Sequence, residues 1–212
     1  MASKNKFHPK EILHELKHHI PFTVLASFVG VIIAFILIRV NQIPISTIAE
    51  YFEIAHPIHV IFSAMVTSAI FYKYKKSKLP AILVGITGAI IIGSLSDILL
   101  PYLGGLSFGF DMHFHLPILE APFLILTAAL VGTIIGMISG ITKLPHFFHV
   151  LLSVVASILY LAAFSFASIN STLVVLLATL IVFISVIIPC CVSDILYPFF
   201  FLGEKIKSCG CH

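Results

Sequence analysis

Two histidine pairs in this chain share one pattern. "HPIHVIFSAMVTS" starts at His56, "HFFHVLLSVVAS" starts at His146, and both read H-x-x-H-V-x-x-S-x-x-x-[S/T]. Histidines three residues apart lie about one turn apart on the same helix face. His56 with His59, and His146 with His149, could therefore each hold one divalent ion. The alternative for a single such pair is an interfacial pair of histidines with no ligand.

Hydroxyl side chains continue both histidine faces at helical spacing. They are Ser63, Thr67, Ser153 and Ser157. Such hydroxyls either bond back to their own helix or line a polar path for ions and protons. Glu120, at the predicted start of the fourth span, is a candidate for proton coupling.

Carboxylates and further histidines complete two predicted clusters. Asp97 lies in "GSLSDILLPYLG" and Asp194 in "CCVSDILYPFFFLG", and the loop "GFDMHFHLP" adds His113 and His115. An aspartate near a helix C-terminus adds negative potential where a cation would lie. Imidazole combined with carboxylate suits zinc, manganese or iron better than magnesium or calcium.

Both ends of the chain carry further metal-ligand side chains. Four in the N-terminal segment share one helix face by spacing, and three end the chain: Glu11, His14, Glu15, His18, Cys209, Cys211 and His212. They are either accessory metal-capture sites or solvated polar segments. The adjacent pair Cys190 and Cys191 is interpreted as packing.

The composition predicts a membrane protein. Of 212 residues, 59% are hydrophobic and only 10% are charged, and mean hydropathy is +1.14, whereas about a quarter of the residues in a soluble domain are charged. Apolar runs of this length cross about 30 Å of hydrocarbon. Six transmembrane helices are predicted, in the cell membrane: Ile20–Ile38, Ile58–Tyr72, Leu79–Leu95, Ala121–Ile141, Phe147–Ser168 and Ser171–Ser193.

The second half of the chain repeats the first. Besides the histidine pairs, Ser96-Asp97-Ile98-Leu99 matches Ser193-Asp194-Ile195-Leu196, and spans one and four carry small residues at four-residue spacing, typical of close helix packing. After three spans the chain lies on the other side of the membrane, so the second copy starts there and is inverted relative to the first. Inverted repeats are common in secondary transporters.

Lysine sets the predicted topology. Eleven of the twelve basic residues fall on one side, which is the cytoplasmic side with both termini. The predicted fold is an all-α polytopic membrane protein with a cytoplasmic amphipathic segment at 1–19, a first three-helix repeat at 20–105, a second, inverted repeat at 106–203 and a cytoplasmic Cys/His tail at 204–212.

These observations favour a secondary transporter of a divalent transition metal such as zinc, manganese or iron, and not an enzyme. The expected mechanism is proton-coupled alternating access between a His/Asp cluster near each membrane face. Its partners are the bilayer and the ion, without nucleic acid, and the absence of a GxxxxGK[ST] motif argues against a nucleotide.

Three alternatives stay open. A membrane metalloenzyme of the histidine-box type needs its histidines in one centre, whereas the two pairs are predicted about 30 Å apart, across the hydrocarbon. A haem-binding electron carrier needs histidines that face each other at similar depth. A transporter of a non-metal solute would use the same repeat without binding metal.

The stretch "GSLSDILLPYLGGLSFGFDMHFHLPILEAP", together with "HPIHVIFSAMVTSAIFYKY", resembles the heavy-metal exporters, a group that overlaps membrane proteins described as manganese transporters. The resemblance implies divalent metal efflux through a polytopic protein. Those families are described with about ten spans, so six spans would imply a homodimer. The ligands that the resemblance implies are His56, His59, Asp97, His113, His115, His146, His149 and Asp194.

Overall fold

The computed structural model describes residues 9–40, 44–165, 172–186, 189–190 and 192–202. These residues form helices joined by short turns, plus one isolated antiparallel bridge between Met112 and Ser165. The helices are α1 Pro9–Val40, α2 Ile45–Tyr74, α3 Lys78–Ser94, a π-helical turn Leu95–Leu99, α4 Leu100–Ser107, α5 Pro117–Glu120, α6 Pro122–Ser139, α7 Lys143–Phe164, α8 Thr172–Val186 and α9 Val192–Phe200.

Four of these helical segments are long and apolar enough to cross a membrane: Ile45–Tyr74, Lys78–Ser107, Pro122–Ser139 and Lys143–Phe164. Two shorter apolar segments, Ile20–Ile33 and Leu176–Val186, lie where the first and sixth spans are predicted. Large apolar side chains such as Phe123 and Ile138 are more than four-fifths exposed, which suits a surface in contact with lipid. The all-helical class is confirmed, and its helices are compatible with a membrane protein.

Helix α2 begins eleven residues before His56, so the predicted start of the second span is wrong. The histidine pair opens an apolar run, which is why the sequence predicts a span that begins there. The helix instead follows Pro44, and Pro57 lies inside it. His56 and His59 therefore lie in the middle of a 30-residue helix rather than at its outer end.

The third span also extends beyond its predicted end at Leu95. It continues through a π-helical turn, Leu95–Leu99, into α4, which ends at Ser107. The Leu100 backbone N–H donates to the Leu95 carbonyl, five residues back. Such π turns occur frequently at functional sites. Asp97 lies within this turn, in the interior of the helical segment and not at its end.

Contacts between side chains define the relative directions of the central helices. Phe52 contacts Phe164, and ten residues further along α2 Phe62 contacts Phe148, so α2 and α7 are antiparallel. Helices α1 and α7 are parallel, because α1 residues 23 and 30 contact α7 residues 146 and 154 in that order. Helices α2 and α6 are parallel by the same criterion.

Glycines let α6 lie directly against the backbone of α2. A Cβ atom at Gly132 would be 2.1 Å from the Ile61 carbonyl oxygen, and one at Gly136 would be 2.3 Å from the Met65 carbonyl oxygen. On α1, a Cβ atom at Gly30 would be 3.0 Å from the Val154 side chain. The small-residue spacing thus corresponds to close packing of α6 on α2 and of α1 on α7.

We expect Gly132→Ala to destabilise the protein. The added methyl group meets backbone atoms of α2, which cannot rotate away, and overpacking of this kind costs typically about 1–3 kcal/mol. Thermal unfolding in detergent measures the loss. Ile138→Ala is the matched control on the same helix, because the Ile138 side chain is 82% exposed. An unchanged unfolding temperature for Gly132→Ala would contradict the close approach of the two helices.

Candidate metal centre

Asp97 is the centre of a fully buried polar cluster. Its Oδ2 atom accepts hydrogen bonds from Nδ1 of His56 at 2.9 Å and Nδ1 of His59 at 2.5 Å. Its Oδ1 atom accepts from the hydroxyls of Ser96 at 2.9 Å and Ser153 at 2.7 Å. A carboxylate has about four acceptor positions, so four donors occupy the whole group. The cluster joins α2, the π-helical turn and α7.

These hydrogen bonds select one tautomer of each imidazole. A carboxylate only accepts, so both Nδ1 atoms must carry a proton. For His59, this leaves Nε2 as the nitrogen with a lone pair, and that atom is buried without a hydrogen-bond partner among the described residues. A carboxylate that orients one ring nitrogen while the other faces a metal is the usual second-shell arrangement at metal sites.

The two histidine pairs meet in this one cluster. The ring centroids of His59 and His149 are 4.5 Å apart, whereas the sequence placed them at opposite membrane faces. The expected separation of about 30 Å is therefore wrong. The prediction is wrong because His59 lies in the middle of α2 and not at its end. The antiparallel helix α7 places His149 beside the middle of α2.

Two groups of side chains in the cluster could each hold an ion. One comprises His56, His59 and Asp97, and the other comprises His59, His149 and Cys190. Within each group the ligand atoms lie within 4.8 Å of one another, and all five side chains are buried. His59 belongs to both groups. Cys190 Sγ also lies 3.4 Å from the Ser153 hydroxyl, which connects it to Asp97 through one side chain.

His146 extends the cluster toward the start of α7. Its ring centroid is 6.0 Å from that of His149, and its Nε2 atom lies 3.0 Å from the Thr23 hydroxyl of α1. The His146 side chain is fully buried. The second histidine pair therefore leads from the buried centre to the junction of α1 and α7.

His115 forms a separate polar group near the other end of α7. Its Nε2 atom contacts a carboxylate oxygen of Glu53, and its Nδ1 atom lies 2.8 Å from a carboxylate oxygen of Glu120. The ring stacks on Phe164 at a centroid distance of 4.5 Å. Each ring nitrogen of His115 therefore faces one carboxylate. His115 and Glu120 thus pair with each other but do not reach Asp97.

Phe52 separates the two histidine groups. Its ring is fully buried and its centroid lies 5.6 Å from that of His56 and 5.9 Å from that of His115. Tyr160 packs edge-on against it at 5.4 Å, and the Tyr160 hydroxyl lies 3.3 Å from the His115 backbone nitrogen. Phe52 and Tyr160 therefore form an aromatic contact between His56 and His115.

The remaining predicted residues fall into three classes. His113 is exposed beside Phe164 and belongs to neither ligand group. Ser63, Thr67 and Ser157 are fully buried, and the Ser157 hydroxyl donates to the Ser96 and Ser153 carbonyls. The others lie outside the residues or side chains that the structure describes: Glu11, His14, Glu15, His18, Asp194, Cys209, Cys211 and His212.

Three side chains of these polar groups are not among the site residues predicted from the sequence. Ser96 belongs to the repeated Ser-Asp motif, which made it detectable. Glu53 precedes His56 by three residues and so shares its helix face. Cys190 was interpreted as packing, although in the repeat alignment that pairs Ser96-Asp97 with Ser193-Asp194 it occupies the position of Gly93, a residue packed against both His56 and His59.

We expect His59 of the metal-free protein to carry its proton on Nδ1. The ¹⁵N chemical shifts of the ring nitrogens in histidine-labelled protein distinguish the two tautomers. Asp97→Ala should remove this preference, because the acceptor is lost, whereas His113→Ala should leave the His59 signals in place. A His59 ring protonated on Nε2 alone would contradict the hydrogen-bond assignment.

Comparison with known proteins adds no relative to this picture. No protein-family model, no curated protein and no solved structure matches the chain. The assignment of the site therefore rests on the geometry of its residues and on their chemistry. The resemblance to heavy-metal exporters stays a prediction.

Proposed function

We propose that this protein is a secondary transporter of a divalent transition-metal ion, and that it binds the ion at one central site instead of one site at each face. The observation that carries this proposal is the convergence of both histidine pairs and Asp97 in a single buried cluster. Ionisable residues inside a membrane-spanning bundle are costly and usually functional. Packing alone gives no reason for such a cluster.

A row of aromatic rings and imidazoles supports a path through the bundle. It leads from His115 past Phe52 to His56 and His59, and then to His149 and His146. The contacts at its two ends are Phe164 and His146 of α7, which are eighteen residues apart. At 1.5 Å per residue this is about 27 Å, close to the hydrocarbon thickness of a bilayer.

An inverted repeat would place the central site at the interface of the two halves. In the repeat, α1 and α2 correspond to α6 and α7. The first helix of each half packs on the second helix of the other half: α1 on α7, and α6 on α2. The equivalent residues His59 and His149 are in contact between the two halves. Sites between inverted repeats are typical of transporters that rock one half against the other. The same relation supports six spans with both termini on one side.

Proton coupling is part of this proposal. A neutral imidazole binds metal and a protonated one does not, so release of the ion can be linked to uptake of protons by the histidines. The group of His115, Glu53 and Glu120 would exchange protons with solvent, because the glutamate side chains are 38% and 57% exposed.

A membrane metalloenzyme is the second candidate. The contact between His59 and His149 favours it, since a histidine-box enzyme needs its histidines in one centre. The two candidates differ in how firmly the metal is held. An enzyme keeps its metal through chelation and dialysis at a constant molar ratio, whereas a transporter exchanges it with solution. Elemental analysis before and after dialysis separates them.

We expect the purified protein in liposomes to move zinc under an imposed pH gradient. Asp97→Asn and His59→Ala should slow the initial flux at least about tenfold, because even an outer partner of a metal ligand contributes about 10–100-fold to metal affinity. A zinc-sensitive dye inside the liposomes measures the flux. His113→Ala is the matched control, because it removes a histidine outside both ligand groups.

Wild-type liposomes that admit neither zinc, manganese nor iron(II) under any pH gradient would refute the transport proposal. Equal flux in Asp97→Asn and wild type would refute the central site. Flux is compared only between proteins that give the same yield of monodisperse protein in detergent. A folding defect is then not mistaken for a transport defect.

A further inference from the structure

We infer that Cys190 is a metal ligand, and that His59, His149 and Cys190 form a second position for the ion, on the opposite side of the His59 ring from Asp97. This inference rests on the proposed function and specifies its site. It also defines the substrate class, because a thiolate selects ions with affinity for sulfur.

The geometry of the three side chains carries the inference. All three are buried, and their ligand atoms lie within 4.8 Å of one another. A tetrahedral zinc ion with ordinary bond lengths separates its ligand atoms by roughly 3.5 Å. A closure of about 1 Å, within reach of small side-chain rotations, would therefore complete the site.

The second ring nitrogen of His59 supports the same position for the ion. Its Nδ1 atom is held by Asp97 at 2.5 Å, so only Nε2 can accept a further partner. Nε2 is buried and has no hydrogen-bond partner among the described residues, an arrangement that costs free energy in a protein interior. A metal ion bound to His149 and Cys190 would satisfy it.

Charge balance favours one divalent ion at this position. The Asp97 carboxylate contributes one negative charge, and Cys190 contributes another when the ion replaces the thiol proton, which is released to solvent. Together they neutralise a divalent cation. A buried site with zero net charge avoids most of the penalty that an unpaired charge would incur.

The ligand set also leaves one coordination position open. Two imidazoles and one thiolate occupy three positions of a tetrahedral ion, the number that catalytic zinc sites use when the fourth is kept for an exchangeable group. An ion held by these three ligands would therefore keep its fourth position available for an exchangeable group.

This ligand chemistry predicts the order of metal preference. Thiolate and imidazole favour zinc, cobalt(II) and cadmium over manganese and magnesium, which prefer oxygen ligands. We therefore expect zinc or cobalt to bind much more tightly than manganese. The ratio of zinc or cobalt affinity to manganese affinity should decrease when the sulfur is removed.

Cobalt(II) titration of the full-length protein in detergent tests the inference, because a thiolate bound to cobalt absorbs in the near ultraviolet by charge transfer. Two variants isolate the sulfur. The first keeps Cys190 as the sole cysteine, with Cys191, Cys209 and Cys211 changed to Ser, and the second carries Cys190→Ser in addition to these three changes. We expect the charge-transfer band in the first variant and not in the second, with cobalt affinity at least about tenfold weaker in the second.

Cobalt binding to the sole-cysteine variant without a charge-transfer band would overturn the inference. So would cobalt binding without a charge-transfer band in the wild type. Neither result would refute transport, because zinc flux in liposomes is measured separately. A protein that bound cobalt through sulfur but moved no metal would instead refute the proposed function and support the ligand assignment.

Discussion

A single buried carboxylate organises the centre of this protein. Asp97 is fully buried, and a negative charge in that position is stable only when it is fully hydrogen-bonded or neutralised. The donors come from α2, from the π-helical turn and from α7. These three segments must therefore keep a defined relative position. The same hydrogen bonds leave the other ring nitrogen of His59 available, and His59 also forms a candidate ligand group with His149 and Cys190.

Close helix packing makes that arrangement possible. The backbone of α6 contacts α2 at Gly132 and Gly136, and Gly30 of α1 lies against α7. These contacts leave little freedom for α6 to shift along α2 or for α1 to shift along α7, because protein interiors are densely packed and respond to changes of one methylene group. The hydrogen bonds to Asp97 and the close packing of the helices thus place the two histidine pairs together.

One shared site changes the expected mechanism of transport. With a cluster at each face, the ion would bind first at one surface and later at the other. In the proposed transporter with one central cluster, access to the site would have to alternate, and residues that block access would become as important as those that bind. Phe52 and Tyr160 occupy such a position between the buried cluster and His115. A central cluster also fits a metalloenzyme, so metal exchange and not ligand identity distinguishes the two functions.

The sequence alone determined the helical class, the apolar segments, the small-residue packing faces and most of the histidine and aspartate candidates, because these depend on composition and on spacing along one helix. It did not determine where those faces meet. The sequence predicts the first histidine pair at a helix start and Asp97 near a helix end, whereas the pair lies inside α2 and Asp97 lies in a π-helical turn. Cys190 gained its significance only from its distance to His59 and His149. Helix length and interhelical register depend on contacts between distant residues, and only the tertiary structure specifies those.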